Sequence, residues 1–218
     1  MHIYQLPISL YSFKLRLALR LKDIEIPFRE PPGGYRSDAF AQINPARTIP
    51  ALGDGAFWLA ESDAIIEYLD DAVLGRPLRS DDLQARARDR MLSRWCDFGL
   101  EPAVRRLFPL VAPETRQPSA VAECAEIVTV RLDRLEAGLD AIGPFAAGPT
   151  PGLADCGLTA TCAWIDALAD VGLLGRLEQP RLQRTLSAMR AHRACMAEIA
   201  AYRALTEGWV RAKIGAAP

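Results

Sequence analysis

Histidine is nearly absent from this 218-residue chain: there are two, His2 and His192. They stand near opposite ends, with no cluster of ligating residues beside either, so no metal site is expected. Long apolar runs are missing as well; none approaches the ~20 residues that a membrane-crossing helix needs. The opening MHIYQLPI has no basic segment leading into a long apolar stretch, so no secretory leader is expected and the location expected is the cytoplasm. No charge sign dominates: 26 basic and 27 acidic residues leave a formal charge of −1. Neither nucleic acid nor an anionic membrane is therefore an expected partner. The five cysteines (Cys96, Cys124, Cys156, Cys162 and Cys195) are odd in number and show no CxxC spacing. That pattern argues against a disulfide framework or a zinc site, and buried structural thiols are expected instead. There is no internal repeat, low-complexity tract or block of like charge.

What is present divides into two parts. His2–Leu6, closed by Pro7, reads as a strand. Ser12–Lys22 alternates Phe13, Leu15, Leu17, Leu19 and Leu21, a strand-like period. It nevertheless lacks β-branched residues and is rich in Leu, Lys, Arg and Ala, so a helix capped by Ser12 is predicted. Ile24–Arg29 reads as a second strand, and Pro31–Gly34 as a loop. Ile49–Leu52 and Phe57–Leu59 flank Asp54-Gly55, a hairpin signal. Glu61–Asp71 carries Ile65, Ile66, Tyr68 and Leu69 at helical spacing. The order β-α-β, irregular segment, β-β-α describes an α/β unit with a mixed sheet over residues 1–75.

Gly75–Ser80 is the expected linker, and residues 81–218 read as all-helical. Ser80 is the expected cap of a helix with Asp81 and Asp82 in its first turn and Ala87, Met91 and Trp95 on its inner stripe. Pro102 is expected to kink or end it near Leu100. Val121, Ala125, Val128, Leu132, Leu135 and Leu139, spaced 4-3-4-3-4, mark an amphipathic helix. Gly143–Gly152 breaks the pattern. Leu153–Asp170 then carries small and apolar residues on several faces and is expected to be buried all round. Two more helices follow Pro180.

Four segments of the first part fall in a telling order: Pro7–Arg16, the turn from strand into helix; Asn44-Pro45-Ala46-Arg47-Thr48-Ile49-Pro50-Ala51-Leu52; the Asp54-Gly55 hairpin; and Glu61-Ser62-Asp63-Ala64-Ile65-Ile66-Glu67-Tyr68-Leu69. With the helical second half, they resemble the cytosolic glutathione S-transferases over essentially the whole chain. The resemblance implies a thioredoxin-like N-terminal domain with a mixed four-stranded sheet, an all-α C-terminal domain, and a homodimer in which domain one of one subunit meets domain two of the other. Gly152-Leu153-Ala154-Asp155 resembles the family's capping box, but glycine stands where the family usually has Ser or Thr, so the side-chain half of that box is missing.

The same resemblance assigns the site. Thr48-Ile49-Pro50 is similar to a turn with a cis proline, against which an extended peptide pairs as an added strand. Glu61-Ser62 opens a helix whose free N–H groups seat the γ-glutamyl carboxylate, the acid facing the amino group. Ser9 matches the thiolate-stabilising serine of the Ser-type members; Ser12 is the runner-up, more suited to capping. Tyr4 is read as packing, being one residue off the tyrosine used by other members, and Tyr11 lies near the turn. Arg36 and Arg47 are candidates for the glycine carboxylate, since Thr48 replaces the lysine usual there. Trp95, Phe98, Arg105, Arg106 and Phe108 are candidates to line a site for a small hydrophobic electrophile between the domains.

The activity implied is glutathione transfer to an electrophile, with glutathione as cosubstrate. Two alternatives stay open. One is a glutathione-dependent cis-trans isomerase acting on maleylacetoacetate or maleylpyruvate, although Ser9-Leu10-Tyr11-Ser12 replaces the Ser-Ser-Cys-Ser turn of that type. The other is a non-catalytic interaction module, although such modules often lose the serine turn or the Glu-Ser pair, both kept here.

Overall fold

The structure, a computed structural model, describes residues 1–72 and 75–215. Residues 73 and 74 of the expected first domain and 216–218 of the second lie outside the described residues. The chain forms two compact units that divide between Arg79 and Ser80.

The first unit begins with β1 (His2–Tyr4) and α1 (Leu10–Lys22). Every member of the alternating set Phe13, Leu15, Leu17, Leu19 and Leu21 is buried. The helix is enclosed around its circumference, which is why its sequence shows no amphipathic period. Asp23, at φ 58°, ends it in the left-handed conformation. The second strand is shorter than predicted: β2 covers only Phe28–Arg29. Pro27 has no N–H to donate to a ladder, and its carbonyl accepts from Ile3 N at 2.9 Å. A one-turn helix α2 (Asp38–Ala41), the hairpin β3 (Ala51–Asp54) and β4 (Phe57–Ala60), and α3 (Ser62–Ala72) complete the unit. The sheet order is β2-β1-β3-β4; β1 pairs parallel with β2, and the other pairings are antiparallel. This is the mixed four-stranded thioredoxin-like sheet.

Two ion pairs made by buried lysines tie α1 to α3: Lys14 with Asp63 near the start of both helices, and Lys22 with Asp70 near the end. The lysine side chains are 0% and 1% exposed. Asp70 also accepts from the backbone N–H of Leu78 and Arg79, each at 3.0 Å. The predicted linker is thereby pinned to the first unit.

The second unit is helical. α4 (Leu83–Trp95) is capped by Asp82, whose carboxylate accepts from Ala85 N at 2.7 Å, and not by Ser80. Its inner face is Asp89, Leu92 and Ser93, whereas Ala87 and Met91 are exposed. The predicted stripe misses because two of the three inward residues are polar. The helix widens into a π-helical turn over Cys96–Leu100, and α5 (Glu101–Arg105) follows with Pro102 in its first turn, where a missing N–H does no harm. α6 (Pro118–Gly138) buries Cys124, Val128, Leu132 and Leu135, with Leu139 buried just beyond its end. α7 (Leu153–Asp170), α8 (Pro180–Ala191) and α9 (Met196–Lys213) complete the unit.

α7 is sealed along nearly its whole length, and its N-terminus is served in an unexpected way. Gly152 has no side chain to cap it. Asp89 of α4 reaches in instead: its two oxygens accept from Leu153 N and Ala154 N, each at 2.9 Å. A Cβ on residue 152 would lie 2.5 Å from Asp89 Oδ2, so only glycine admits this carboxylate. Asp155 supplies the other half of the box, accepting from Gly152 N and Ala146 N at 2.9 Å. Burial pushes the Asp155 carboxyl up to about 7; the Ala146 N–H opposes the rise and the Asp89 charge adds to it. The capping half that seemed lost is thus provided from another helix.

None of the five cysteines is in a disulfide, and all are buried. No described helix is long and apolar enough to cross a membrane.

Candidate functional site

Helix α1 starts at a serine, though not the one predicted to cap it. Ser9 has extended backbone angles and its Oγ accepts from Ser12 N at 3.3 Å, which makes Ser9 the N-cap. An accepting hydroxyl keeps its proton, so Ser9 can donate to a further partner. Ser9 is half-buried, whereas Ser12 is 1% exposed and its Oγ has no hydrogen-bond partner. Of the two serines at this turn, Ser9 is the one that solvent or a ligand can reach. Ser12 is sealed inside the first turn, and its expected capping role does not hold.

The second group lies on the loop before β3. The Ile49–Pro50 peptide bond is cis, as the resemblance implies. Asn44, fully buried, braces the loop: its Nδ2 donates to Thr48 O at 2.8 Å and to Thr48 Oγ1 at 3.3 Å, and its Oδ1 accepts from Ala46 N at 3.1 Å. Arg47 is engaged locally, with Asp38 at 2.8 Å and the Arg36 carbonyl at 3.0 Å. The Arg36 guanidinium lies 5.1 Å from the Tyr35 ring centre.

The third group opens α3. Ser62 is its first residue and is 5% exposed; Glu61 before it is exposed, with φ at 70°. Asp63 in the same turn is paired with Lys14. Tyr4 packs edge-on against Phe40 and His2, at ring separations of 5.6 and 4.7 Å, in accord with a packing role.

In the helical unit the five predicted lining residues part company. Phe108 stacks with Trp164 at 4.6 Å and Trp209 at 5.4 Å, and the Arg105 guanidinium sits 5.6 Å over the Phe108 ring. Arg105 is also paired with Glu101, and Arg106 with Glu123 at 2.9 Å. Phe98 is 74% exposed and Trp95 half-buried. Sequence reasoning missed Trp164 and Trp209 as members of this cluster, because each is far in the chain from Phe108. It also gave no role to Asn44, Lys14 or Asp63, whose partners appear only once the loop and the two helices are placed.

Residues 3–77 match the profile of the glutathione S-transferase N-terminal domain. A maleylpyruvate isomerase from Ralstonia is 32% identical over 166 residues, covering 72% of this chain and 78% of that protein. The chain belongs to the glutathione S-transferase family. Mouse glutathione S-transferase theta-1 is 32% identical over 155 residues, 68% of this chain; the match spans 63% of the mouse protein, under two thirds of its length. The apo structure of human glutathione S-transferase T1-1 superposes with a TM-score of 0.80 at 27% identity, covering 97% of this chain and 90% of that one. Within the transferase fold, Ser9, the Thr48-Ile49-Pro50 turn and Glu61-Ser62 all lie in the N-terminal unit.

Proposed function

We propose that this protein is a glutathione transferase that stabilises the glutathione thiolate for attack on a small hydrophobic electrophile. The observation that carries this reading is the reachable Ser9 hydroxyl at the N-cap of α1. A free thiol near pKa 8.5 is only a few per cent ionised at neutral pH. Lowering it by about two units takes roughly 2.7 kcal/mol of preferential stabilisation of the thiolate. A donated O–H bond and the positive end of α1 are the right kind of groups to supply it. Ser62 and the N–H groups of α3 take the γ-glutamyl carboxylate, and Glu61 faces its amino group. The Thr48-Ile49-Pro50 turn takes the peptide backbone. Residues 1–75 then hold glutathione, and 81–218 supply the electrophile's contacts.

Family membership supports the further expectations: a cytoplasmic homodimer that disposes of electrophiles. Calorimetric titration with glutathione, with Ser62→Ala as control, tests the first step. Binding should weaken at least tenfold in the variant; a wild type that does not bind returns the chain to the interaction-module reading. Wild-type turnover of a generic aryl halide tests the second step.

A second reading is a glutathione-dependent isomerase of the maleylpyruvate type, favoured by the 78% coverage of the Ralstonia isomerase. In that reaction the thiolate adds to a double bond and departs after rotation, so glutathione is not consumed. Cis-to-trans conversion with glutathione unchanged would establish it over transfer.

A further inference from the structure

The carboxylate seat assigned to Ser62 has an electrostatic difficulty. The next residue is Asp63, in the same first turn of α3. An acid there competes for the positive end of the helix and repels a second carboxylate placed beside it. Lys14 meets this difficulty from the neighbouring helix. Its ammonium group pairs with Asp63, and its side chain is fully buried. Burying a lysine is unfavourable unless its charge is matched, so a lysine in this place has to be paired. Lys14 also follows Ser9 by five residues, about 7.5 Å along α1. One side chain therefore links the helix that carries the reactive-sulfur turn to the helix that carries the carboxylate seat. The Lys22–Asp70 pair repeats the link near the far ends of both helices.

We infer that Lys14 is a positioning residue for glutathione: by pairing with Asp63 it frees the start of α3 to accept the ligand's γ-glutamyl carboxylate. The inference rests on the glutathione reading above and adds to it a residue that acts through another.

The test is calorimetric titration of wild type, Lys14→Met, Asp63→Asn and the double variant with two ligands. One is glutathione; the other is 4-aminobutyryl-cysteinyl-glycine, which lacks only the γ-glutamyl carboxylate. Lys14→Met should weaken glutathione at least fivefold and leave the carboxylate-free peptide within twofold. Adding Asp63→Asn should bring glutathione back to within twofold of wild type. Asp63→Asn alone, which keeps the lysine and so reports even if Lys14→Met fails to fold, should bind glutathione as well as wild type or better. Equal weakening of both ligands in Lys14→Met, or weaker glutathione binding in Asp63→Asn, overturns the inference. Unchanged binding in Lys14→Met overturns it while leaving the glutathione reading intact. Absence of glutathione binding by wild type overturns both.

Discussion

Ser9 and Ser12 are three residues apart, and the structure gives them opposite circumstances. Ser9 caps α1 through its oxygen, and under the proposed function its proton is donated to the glutathione sulfur. Ser9→Ala should cost about 1 kcal/mol of stability through the lost cap. It should also slow conjugation on the order of tenfold or more at neutral pH, because fewer thiols are ionised. Ser9→Asp separates the two roles: it caps as well as serine but brings a negative charge towards the sulfur. Denaturant midpoints should stay near wild type while the pH-rate profile moves to higher pH. Ser12→Ala removes a buried hydroxyl that has no partner, so stability should hold or rise and turnover should be unchanged. Loss of turnover in Ser12→Ala but not in Ser9→Ala would reverse the assignment. The resemblance already singled out Ser9; what it misplaced was the cap, given to Ser12, because which serine caps depends on where the helix begins.

At the scale of elements, the fold was most legible where one face of a helix is apolar and least so where polar groups point inward. α6 follows its predicted spacing from Val128 through Leu132 and Leu135 to Leu139, with Cys124 buried ahead of them in place of Val121 and Ala125, and α7 spans Leu153–Asp170 as its composition predicts. α4 was misread because Asp89 and Ser93 face the interior, and β2 because a proline truncates its ladder. The cap of α7 was illegible for a deeper reason: the Asp89 carboxylate lies 64 residues from the Leu153 N–H that it caps. That arrangement makes a definite prediction. Gly152→Ser restores the residue usual at an N-cap, yet it should destabilise by about 2 kcal/mol, because its Cβ meets the Asp89 carboxylate. Asp89→Ala alone should cost about 3 kcal/mol by leaving two buried N–H groups unpaired. The double variant should recover a good part of both losses, as a local cap replaces the distant one. Urea midpoints of all four proteins measure the coupling, and strict additivity would show that the two positions do not compete for one cap.

For the molecule as a whole, the buried Asp89–Asp155 pair ties stability to pH. An unfolded aspartic acid titrates near 3.9, and the folded Asp155 carboxyl is pushed up to about 7. The folded state therefore holds the extra proton between these values. The stability this group contributes is full below about pH 4 and is lost as pH rises through about 7. The stability difference between wild type and Asp155→Asn should accordingly shrink by a few kcal/mol from pH 5 to pH 8; a difference independent of pH would count against the shift. The five cysteines bear on practice in another way. All five lie in the helical unit and all are buried. Burial also pushes the Cys162 thiol up, away from its reactive form. A thiol reagent added to the native protein then reads the opening of that unit alone and is silent about the first. In an assay of the proposed transfer, loss of thiol should therefore report glutathione, with the five buried cysteines counted only once that unit opens.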